Sequence, residues 1–294
     1  KLPVWLVKTH EDMMKFLDEQ LKKLDTPYVD FYILHAMNNE RMDAMQKLDY
    51  KRFYAEAIAQ GKVRYPGFSF HDDAKAFLRI LHDWDQWGMC QVQMNILDDE
   101  NQATLEGIRE AGRRGVGVVV MEPLRGGLLA NPPVDVKAVY DAYAVQRSPV
   151  EWGFRYLYAM PEVITILSGM STWAQVTDNL RIFDMAKRPT LTDEELALYQ
   201  KVKATYLART KTRCTGCKYC QPCPMGVQIP RIFQGYDAAM LRADSSFKAG
   251  YAQIQADHAD ASQCIHCRKC ERACPQHLPI TRFLEEIHAA SAAE

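Results

Sequence analysis

The chain has 294 residues, a formal net charge of −1 at pH 7 and 48% hydrophobic residues. This length allows one large domain and one small domain, and the balanced charge argues against a nucleic-acid partner. No apolar run reaches the roughly 18 residues that a membrane-spanning helix needs, so we expect no membrane span.

Short apolar runs alternate with amphipathic segments along the first two thirds of the chain. Residues 28–34 (YVDFYIL) are β-branched and aromatic, and residues 116–121 (VGVVVM) have the pattern of a fully buried strand. In chain order, the predicted elements are helix Glu11–Leu24, strand Tyr28–Leu34, helix Tyr50–Gln60, strand Val63–Phe68, helix Asp72–Asp83, strand Cys90–Leu97, helix Gln102–Arg114, strand Val116–Met121, helix Pro149–Ala159, strand Val163–Leu167, and helices Thr172–Asp184, Thr192–Tyr206 and 235–260.

Repeated strand–helix units predict an α/β fold with a parallel sheet. No G-x-G-x-x-G motif follows a strand, which argues against a dinucleotide-binding open sheet. A (β/α)8 barrel builds its site at the carboxyl ends of its strands, where this chain collects polar residues. A closed barrel needs eight strands, so we expect about three further units upstream of Lys1. The polar residues assigned to these strand ends are His35, Ser69, Gln91, Asn95, Glu122 and Ser168.

Four side chains outside this set have local interpretations. Thr192 and Glu195 predict a capping box at the start of a helix. Cys90 lies within a strand pattern and is expected to be a small buried hydrophobe. Arg125 follows a buried strand and is expected to pair either with a phosphate or with Glu122.

Eight of the nine cysteines form two groups near the C-terminus. Their spacings are C-x2-C-x2-C-x2-C-P and C-x2-C-x2-C-x3-C-P. This is the spacing of a ferredoxin that holds two 4Fe–4S clusters, which move single electrons. The predicted ligands are Cys214, Cys217, Cys220, Cys223, Cys264, Cys267, Cys270 and Cys274.

Other uses of these cysteines remain open. Secreted disulfide proteins also carry even numbers of cysteines, but no signal peptide is visible here. Zinc usually takes two C-x2-C pairs with a longer spacer between them. In two-cluster ferredoxins the fourth cysteine of each motif binds the other cluster, and the shortened first motif leaves that exchange open for Cys223.

Five strings of the first two thirds, followed by the cysteine motifs, resemble the iron–sulfur branch of the aldo/keto reductases. The strings are KLPVWLVKT, DFYILHAMN, GFSFH, VVVMEPLRGGLL and ILSGMSTWAQVTDNL. The resemblance implies a (β/α)8 TIM barrel, N-terminally incomplete here, over residues 1–205. A small α-helical, ferredoxin-like domain with two 4Fe–4S clusters would follow over residues 206–294. It also implies hydride transfer between a nicotinamide cofactor and a small carbonyl or alcohol.

The resemblance assigns two residues to the family's catalytic set of Asp, Tyr, Lys and His. His35 matches the histidine, and Lys1 matches the lysine that ends the third strand of the family's barrel. The family's Asp and Tyr belong to the second strand and its loop, which this sequence does not contain. We therefore expect the chain by itself to be inactive on carbonyls.

The resemblance also places the nicotinamide cofactor. Ser69 and Gln91 match the partners of the carboxamide, and Met121 stands where many members stack a tyrosine on the nicotinamide. Gln175 stands where many members place an arginine on the 2′-phosphate, so the choice between NADP and NAD is open. The residues along the pyrophosphate and the adenosine half are Pro123, Leu124, Gly126, Gly127, Ser168, Gly169, Met170 and Asn179.

Two functions follow as hypotheses. The first is an NAD(P)-dependent aldo/keto oxidoreductase whose two 4Fe–4S clusters either exchange electrons with a redox protein partner or serve the structure. The alternative is a non-enzymatic iron–sulfur electron carrier or redox sensor on a barrel scaffold. Free thiols and oxygen-sensitive clusters favour the reducing cytoplasm.

Overall fold

The computed structural model describes residues 1–184, 187–214, 216, 218–274 and 277–292, so the predicted ligand Cys217 lies outside the described residues. The chain forms two compact units. One consists of Lys1–Ala130 and Arg147–Glu195, and the other of Asn131–Gln146 and Leu196–Glu294. The predicted domain boundary between residues 205 and 206 stays a prediction.

The first unit contains a five-stranded parallel sheet in which every strand pairs with the next one along the chain. Each predicted strand is present, which confirms the predicted α/β class. The strands are β1 (Val29–Met37), β2 (Val63–Phe70), β3 (Met89–Gln93), β4 (Gly117–Met121) and β5 (Val163–Ile166).

Helices follow the strands and also build the second unit. None of the described helices is long and apolar enough to cross a membrane. The α-helices of the described residues are α1 (His10–Leu24), α2 (Asn39–Lys47), α3 (Tyr50–Ala59), α4 (Ala74–Asp83), α5 (Thr104–Arg113), α6 (Val134–Asp141), α7 (Pro149–Tyr158), α8 (Trp173–Phe183), α9 (Asp193–Arg209), α10 (Ile229–Arg242), α11 (Ser246–Ala256), α12 (Lys269–Ala273) and α13 (Ile280–Ala292).

The sheet is packed by aromatic side chains on the helices that cover it. Tyr50 stacks on Trp87 with ring centroids 5.5 Å apart and planes within 5°. The buried hydroxyl of Tyr54 donates to the carbonyl of Tyr32 on β1 at 2.9 Å. Burying a Tyr or Trp removes a large apolar area from water, and its polar atom then needs a partner. This packing fixes α3 against the strands whose carboxyl ends carry the predicted site.

The third strand ends four residues earlier than predicted, at Gln93. The side chain of Asn95 accepts hydrogen bonds from the backbone N–H groups of Leu97 (3.0 Å) and Asp98 (3.1 Å). Such a side-chain turn replaces the strand's ladder bonds and ends the extended run. The prediction of a strand to Leu97 is therefore wrong at its C-terminal end.

The second unit has its own hydrophobic core, formed by α10, α11 and α13. Phe233, Tyr251, Ile254 and Ile287 are among its buried side chains. The helix predicted over residues 235–260 is in fact parts of two helices, α10 and α11. The first of them, α10, ends at its C-cap Ala243. The φ of Ala243 is 55°, a left-handed conformation through which a helix cannot continue.

Two local predictions of the sequence are confirmed. The N–H of Thr192 donates to Glu195 Oε2 and the N–H of Glu195 donates to Thr192 Oγ1, both at 3.2 Å, which is the predicted capping box. Cys90 is fully buried, and burial raises the pKa of its thiol to about 12.

Candidate functional site

Polar side chains on four neighbouring strands meet at the carboxyl edge of the sheet. Ser69 on β2 and Gln91 on β3 are direct partners in the strand register, and both are buried. The backbone N–H of Ala36 donates to Ser69 Oγ at 2.8 Å, and Gln91 Nε2 lies 3.3 Å from the sulfur of Met121 on β4. The structure thus brings His35, which precedes Ala36, together with three of the predicted cofactor residues.

His35 ends the regular part of β1, and the start of the chain runs beside it. The N–H of His35 donates to the carbonyl of Leu2 at 3.0 Å, and the N–H of Leu2 donates to the carbonyl of Ile33 at 2.9 Å. Lys1 therefore lies next to His35. Burial first, and then the positive charge of Lys1, lower the pKa of His35, which favours a neutral imidazole near neutral pH.

The hydroxyl of Ser69 is oriented by the turn at the end of β1. Its oxygen accepts the N–H of Ala36, a residue held at a φ of 54°. A serine hydroxyl has one proton to donate, so this bond leaves that proton for another acceptor. Ser69 therefore presents a hydrogen-bond donor at the sheet edge beside the amide of Gln91.

The loop after β4 exposes its backbone. Gly126 and Gly127 have φ values of 64° and 93°, and no atom lies within 4 Å of the position that a Cβ would take on either. The N–H of Gly127 donates to the carbonyl of Leu124 at 3.0 Å, so what the loop offers a ligand is close approach to its backbone, which the missing side chains permit. The predicted pyrophosphate residues Pro123, Leu124, Gly126 and Gly127 all lie on this loop.

The ion pair of Arg125 differs from the predicted pairing with Glu122, whereas its pairing with a phosphate stays a prediction. Arg125 Nε lies 3.3 Å from Asp98 Oδ2, so its partner is Asp98 rather than Glu122. The same carboxylate oxygen accepts from Asn95 Nδ2 at 2.9 Å and from Gln93 Nε2 at 3.1 Å. This network connects the turn after β3 to the glycine loop after β4.

Sequence reasoning missed Asp98, although Asn95 three residues earlier offered a signal. An Asn followed closely by an Asp directly after a buried strand is typical of a side-chain turn. The pairing with Arg125 joins residues 27 positions apart in the sequence. No local pattern predicts a contact over that separation.

The residues predicted along the adenosine half follow β5 at the same sheet edge. The N–H of Leu167 donates to the carbonyl of Val120 at 2.8 Å, which places Ser168 next to the end of β4. Asn179 Nδ2 donates to Ser168 Oγ at 2.7 Å, so α8 and this segment are joined. Gly169 has open space around its α-carbon, and Met170 is partly exposed.

Gln175 has a structural use that the sequence did not reveal. Its Oε1 accepts the N–H groups of Ser171 at 2.6 Å and of Thr172 at 3.1 Å. The N–H of Gln175 in turn donates to Thr172 Oγ1, which completes a capping box at the start of α8. The side chain of Gln175 therefore caps a helix.

In the second unit, cysteines of both motifs line one cavity of about 160 Å³. Cys223, the fourth cysteine of the first motif, lies there with the first three cysteines of the second motif. This is the set that binds one cluster when fourth ligands are exchanged between motifs, despite the shortened first spacing. The lining cysteines are Cys220, Cys223, Cys264, Cys267 and Cys270.

The surroundings of the cysteines suit an iron–sulfur cluster. Among the described residues no cysteine forms a disulfide, and Cys274 is buried in the core of the unit. The N–H of Gly216 lies 3.4 Å from Cys214 Sγ, a contact of the kind that tunes the potential of a cluster. An all-thiolate donor set with an apolar shell is the environment that such clusters take.

No group of three His, Cys, Asp or Glu side chains in the described part of the chain is close enough to share one metal ion. A 4Fe–4S cluster does not require such a group, because its thiolates bind different iron atoms.

Two family models match the chain. The model of the aldo/keto reductase family matches residues 7–204, and the model of a 4Fe-4S dicluster domain matches residues 213–278. No curated protein matches the chain. The second match shows that the C-terminal part is a 4Fe–4S dicluster ferredoxin-type domain, as the cysteine spacing predicted.

Solved structures give the same family. The chain is similar to the aldo-keto reductase AKR11C1 from Bacillus halodurans in its holo form, with 25% identity over 67% of this chain and 69% of that chain and a TM-score of 0.56. It is also similar to the thermostable aldo-keto reductase Tm1743, with 25% identity over 66% of this chain, 67% of that chain and a TM-score of 0.51. These relatives support an oxidoreductase. The model of this family matches more than half of the chain's residues, so the chain belongs to the aldo/keto reductase family.

Proposed function

We propose that the chain contributes the cofactor-binding edge of an NAD(P)-dependent oxidoreductase that interconverts a small carbonyl and its alcohol. The observation that carries this proposal is the meeting of His35, Ser69, Gln91 and Met121 at one edge of the sheet. In parallel α/β folds, this carboxyl edge is where ligands bind.

The residues at the edge fit a nicotinamide nucleotide. Ser69 presents a hydroxyl donor, and the side-chain amide of Gln91 adds a donor and an acceptor for a carboxamide. The open space beside Gly126 and Gly127 allows a pyrophosphate to approach the backbone closely. When bound, a nicotinamide supplies or accepts the hydride.

His35 is proposed to orient the carbonyl. A neutral imidazole carries one N–H donor, and burial keeps His35 on the neutral side by lowering its pKa. A hydrogen bond from this ring to the carbonyl oxygen stabilises the negative charge that develops there during reduction. Lys1 lies beside the ring and is proposed to contribute a positive charge to the same oxygen.

The choice of nucleotide depends on the start of α8. Gln175 carries no charge, and its carbonyl oxygen caps the helix. Asp178 on the same helix is paired with Arg181 at 2.9 Å. A 2′-phosphate gains most from a bidentate arginine, so we expect little preference for NADP over NAD.

The cysteine loops are proposed to hold two 4Fe–4S clusters that exchange single electrons with a redox protein partner in the cytoplasm. A hydride carries two electrons together, whereas such a cluster moves one electron at a time. For that reason the proposed electron exchange is with a separate protein. A redox titration tests it, because clusters that are reduced reversibly in the folded protein support a relay. Clusters that are reduced only on unfolding would have a structural role.

Carbonyl reduction is tested by turnover of the full protein with NADPH and a series of small aldehydes. We expect His35→Gln to lower kcat/KM by about 100-fold, the scale of a lost proton-transfer or oxyanion partner. His258→Gln, a change outside the sheet unit, is the control and should leave kcat/KM unchanged. Absence of turnover together with absence of nucleotide binding would favour the alternative, a non-enzymatic iron–sulfur electron carrier or redox sensor.

A further inference from the structure

A positively charged side chain lies beside His35 without a role in the site described above. Arg41 is in the first turn of α2, the helix that directly follows β1. Its Nη1 donates to the carbonyl of Ala36 at 2.5 Å. Its guanidinium also lies 5.4 Å from the centre of the Trp5 ring. Two independent contacts therefore fix the position of this cation.

Trp5 connects the arginine to the proposed catalytic histidine. The ring of Trp5 lies 5.0 Å from the ring of His35, and the same ring also contacts the guanidinium of Arg41. About half of Trp5 (52%) is exposed, although its neighbour Val4 is buried. An exposed aromatic face between a histidine and an arginine is a surface for the carbon skeleton of a small molecule.

The charge of Arg41 is not neutralised by the protein. Among the described residues it has no carboxylate partner, whereas Arg79, which also contacts α2, pairs with Asp43 and bonds Asn39 Oδ1 at 3.0 Å. Asp72 reaches the same helix, but its carboxylate accepts the N–H of Asn39 at 3.0 Å. Glu40 is the sequence neighbour of Arg41, and adjacent residues of a helix point in different directions.

The electrostatic environment of His35 agrees with this geometry. After burial, the positive charge of Lys1 and, less strongly, that of Arg41 lower its pKa. Two cationic side chains thus act on this imidazole. Such a region attracts an anion.

We propose that Arg41 binds an oxyanion on the carbonyl substrate, so that the substrates are small aldehydes or ketones carrying a carboxylate or a phosphate. This inference rests on the proposed function and narrows its substrate class. The guanidinium binds the anionic end, Trp5 contacts the carbon skeleton, and His35 binds the carbonyl oxygen. Arginine suits this role because its planar fork matches carboxylate and phosphate geometry.

The test compares pairs of aldehydes that differ in charge. The pairs are 4-carboxybenzaldehyde with benzaldehyde, and glyceraldehyde 3-phosphate with glyceraldehyde. In the wild-type protein we expect the charged member to have the higher kcat/KM. Arg41→Met should lower that preference by about 10- to 100-fold, mainly through KM, because a charge-assisted hydrogen bond is lost. A preference for only the carboxylate or only the phosphate would show which of these two anions Arg41 binds.

Two control variants distinguish the loss of the Arg41 charge from a general loss of folding. Arg41→Lys keeps the charge and should retain part of the preference. Arg79→Met removes a neighbouring arginine that is already paired with Asp43, and it should leave the preference unchanged. Equal loss of activity on charged and neutral aldehydes in Arg41→Met would overturn the inference.

A binding measurement keeps the inference separate from turnover. Calorimetric titration with 4-carboxybenzyl alcohol and with benzyl alcohol reports affinity without chemistry. Tighter binding of the charged alcohol that disappears in Arg41→Met supports the anion site even if no aldehyde is reduced, in which case only the proposed function fails. Reduction of neutral aldehydes with no dependence on Arg41 in either assay leaves the proposed function intact and overturns the anion site.

Discussion

One buried carboxylate, Asp237 on α10, organises the chain immediately before the first cysteine motif. Its Oδ1 accepts the N–H groups of Lys211 at 2.9 Å and Thr212 at 3.0 Å. Its Oδ2 accepts the Thr212 hydroxyl at 2.7 Å and the N–H of Arg213 at 2.7 Å. A carboxylate is the side chain that can accept this many donors at once, so Asp237 positions the backbone that leads into Cys214.

Replacing this carboxylate tests its positioning role. In Asp237→Asn, the amide nitrogen faces backbone N–H donors and leaves them without an acceptor. We expect the free energy of unfolding of the second unit to fall by about 1–3 kcal/mol, and the iron content per chain to fall with it. Urea unfolding and iron analysis measure both effects. Asp257→Asn changes an exposed acid on the same unit and should leave the unfolding free energy and the iron content unchanged. Equal behaviour of the two variants would contradict the positioning role of Asp237.

The pKa of His35 gives a pH dependence with a defined sign. The reference value is 6.5, and burial lowers the pKa in the folded protein. Below 6.5 the unfolded chain therefore binds more protons than the folded one, so stability decreases as the pH falls toward the folded pKa. Above pH 6.5 the imidazole is neutral in both the folded and the unfolded chain, so His35 no longer reduces the stability.

The predicted observation is a His35 ring that titrates below pH 6.5 by NMR. Compared with the wild type, His35→Gln should show a weaker loss of stability between pH 6.5 and the folded pKa. A His35 pKa at or above 6.5 would contradict the cationic environment described here.

At the residue scale, the sequence predicted the residues that belong to spaced or ordered motifs. His35, Ser69 and Gln91 lie on neighbouring strands, and their meeting at one edge is a consequence of parallel pairing. Asp98 and Asp237 were not predicted, because each acts on residues more than 20 positions away. Tertiary contacts of that kind leave no local pattern.

At the element scale, replacing two glycines by alanine is expected to change stability in opposite directions. A Cβ on Gly67 in β2 would lie 2.7 Å from the carbonyl oxygen of Met89 and 2.8 Å from Ile33 Cγ2. Gly250 lies inside α11, and nothing is within 4 Å of the corresponding position. The first glycine is required by close packing of three strands, and the second only adds backbone freedom.

We therefore expect Gly67→Ala to destabilise the first unit by about 1–3 kcal/mol through overpacking. Gly250→Ala should stabilise the second unit by about 0.5–1 kcal/mol, since alanine favours a helix over glycine. Urea denaturation of both variants checks the signs. A neutral Gly67→Ala would contradict the strand packing.

The start of α8 gives a prediction about nucleotide choice. Gln175→Arg should increase the affinity for NADP relative to NAD by about tenfold, because the guanidinium adds a charge-assisted bond to a 2′-phosphate. The same change removes the capping box, at a cost of about 0.3–1.5 kcal/mol. Gln175→Met is the control that loses the cap and gains no charge. An unchanged ratio of the NADP affinity to the NAD affinity in Gln175→Arg would show that the start of α8 does not contact the nucleotide.

The sequence predicted all five strands and most helices, but four of the described helices were missed: α2, α6, α12 and α13. In α2 only Met42 and Met45 are buried, so the apolar period is too sparse to detect, and the helix is marked mainly by its N-cap Asn38. In α6 the eight residues include Val134, which is 88% exposed. An exposed valine and a short length obscure a helical pattern.

At the scale of the whole molecule, the two compact units carry separate spectroscopic probes. All five tryptophans lie in the first unit, at positions 5, 84, 87, 152 and 173. All eight motif cysteines lie in the second. Tryptophan fluorescence therefore reports on the sheet unit, and cluster absorption reports on the cysteine unit.

Iron removal should affect the two units differently. Because ligand binding energy adds to folding energy, chelation under anaerobic conditions should shift the unfolding of the second unit to lower denaturant. The tryptophan transition of the first unit should stay at the same denaturant concentration. Circular dichroism, which sees the helices of both units, measures the shift alongside fluorescence. Equal shifts in both signals would contradict independent units.

The central claim is that the carboxyl edge of the sheet binds a nicotinamide nucleotide, and equilibrium binding tests it most directly. Iron-loaded protein is titrated with NADPH and NADH while the nicotinamide fluorescence is followed. We predict saturation at one nucleotide per chain, with affinity reduced about tenfold in Ser69→Ala and in Gln91→Ala through the loss of a hydrogen bond. Ser262→Ala, an exposed serine in the second unit, should bind as the wild type does. Absence of binding, or binding that none of these changes weakens, would contradict the claim.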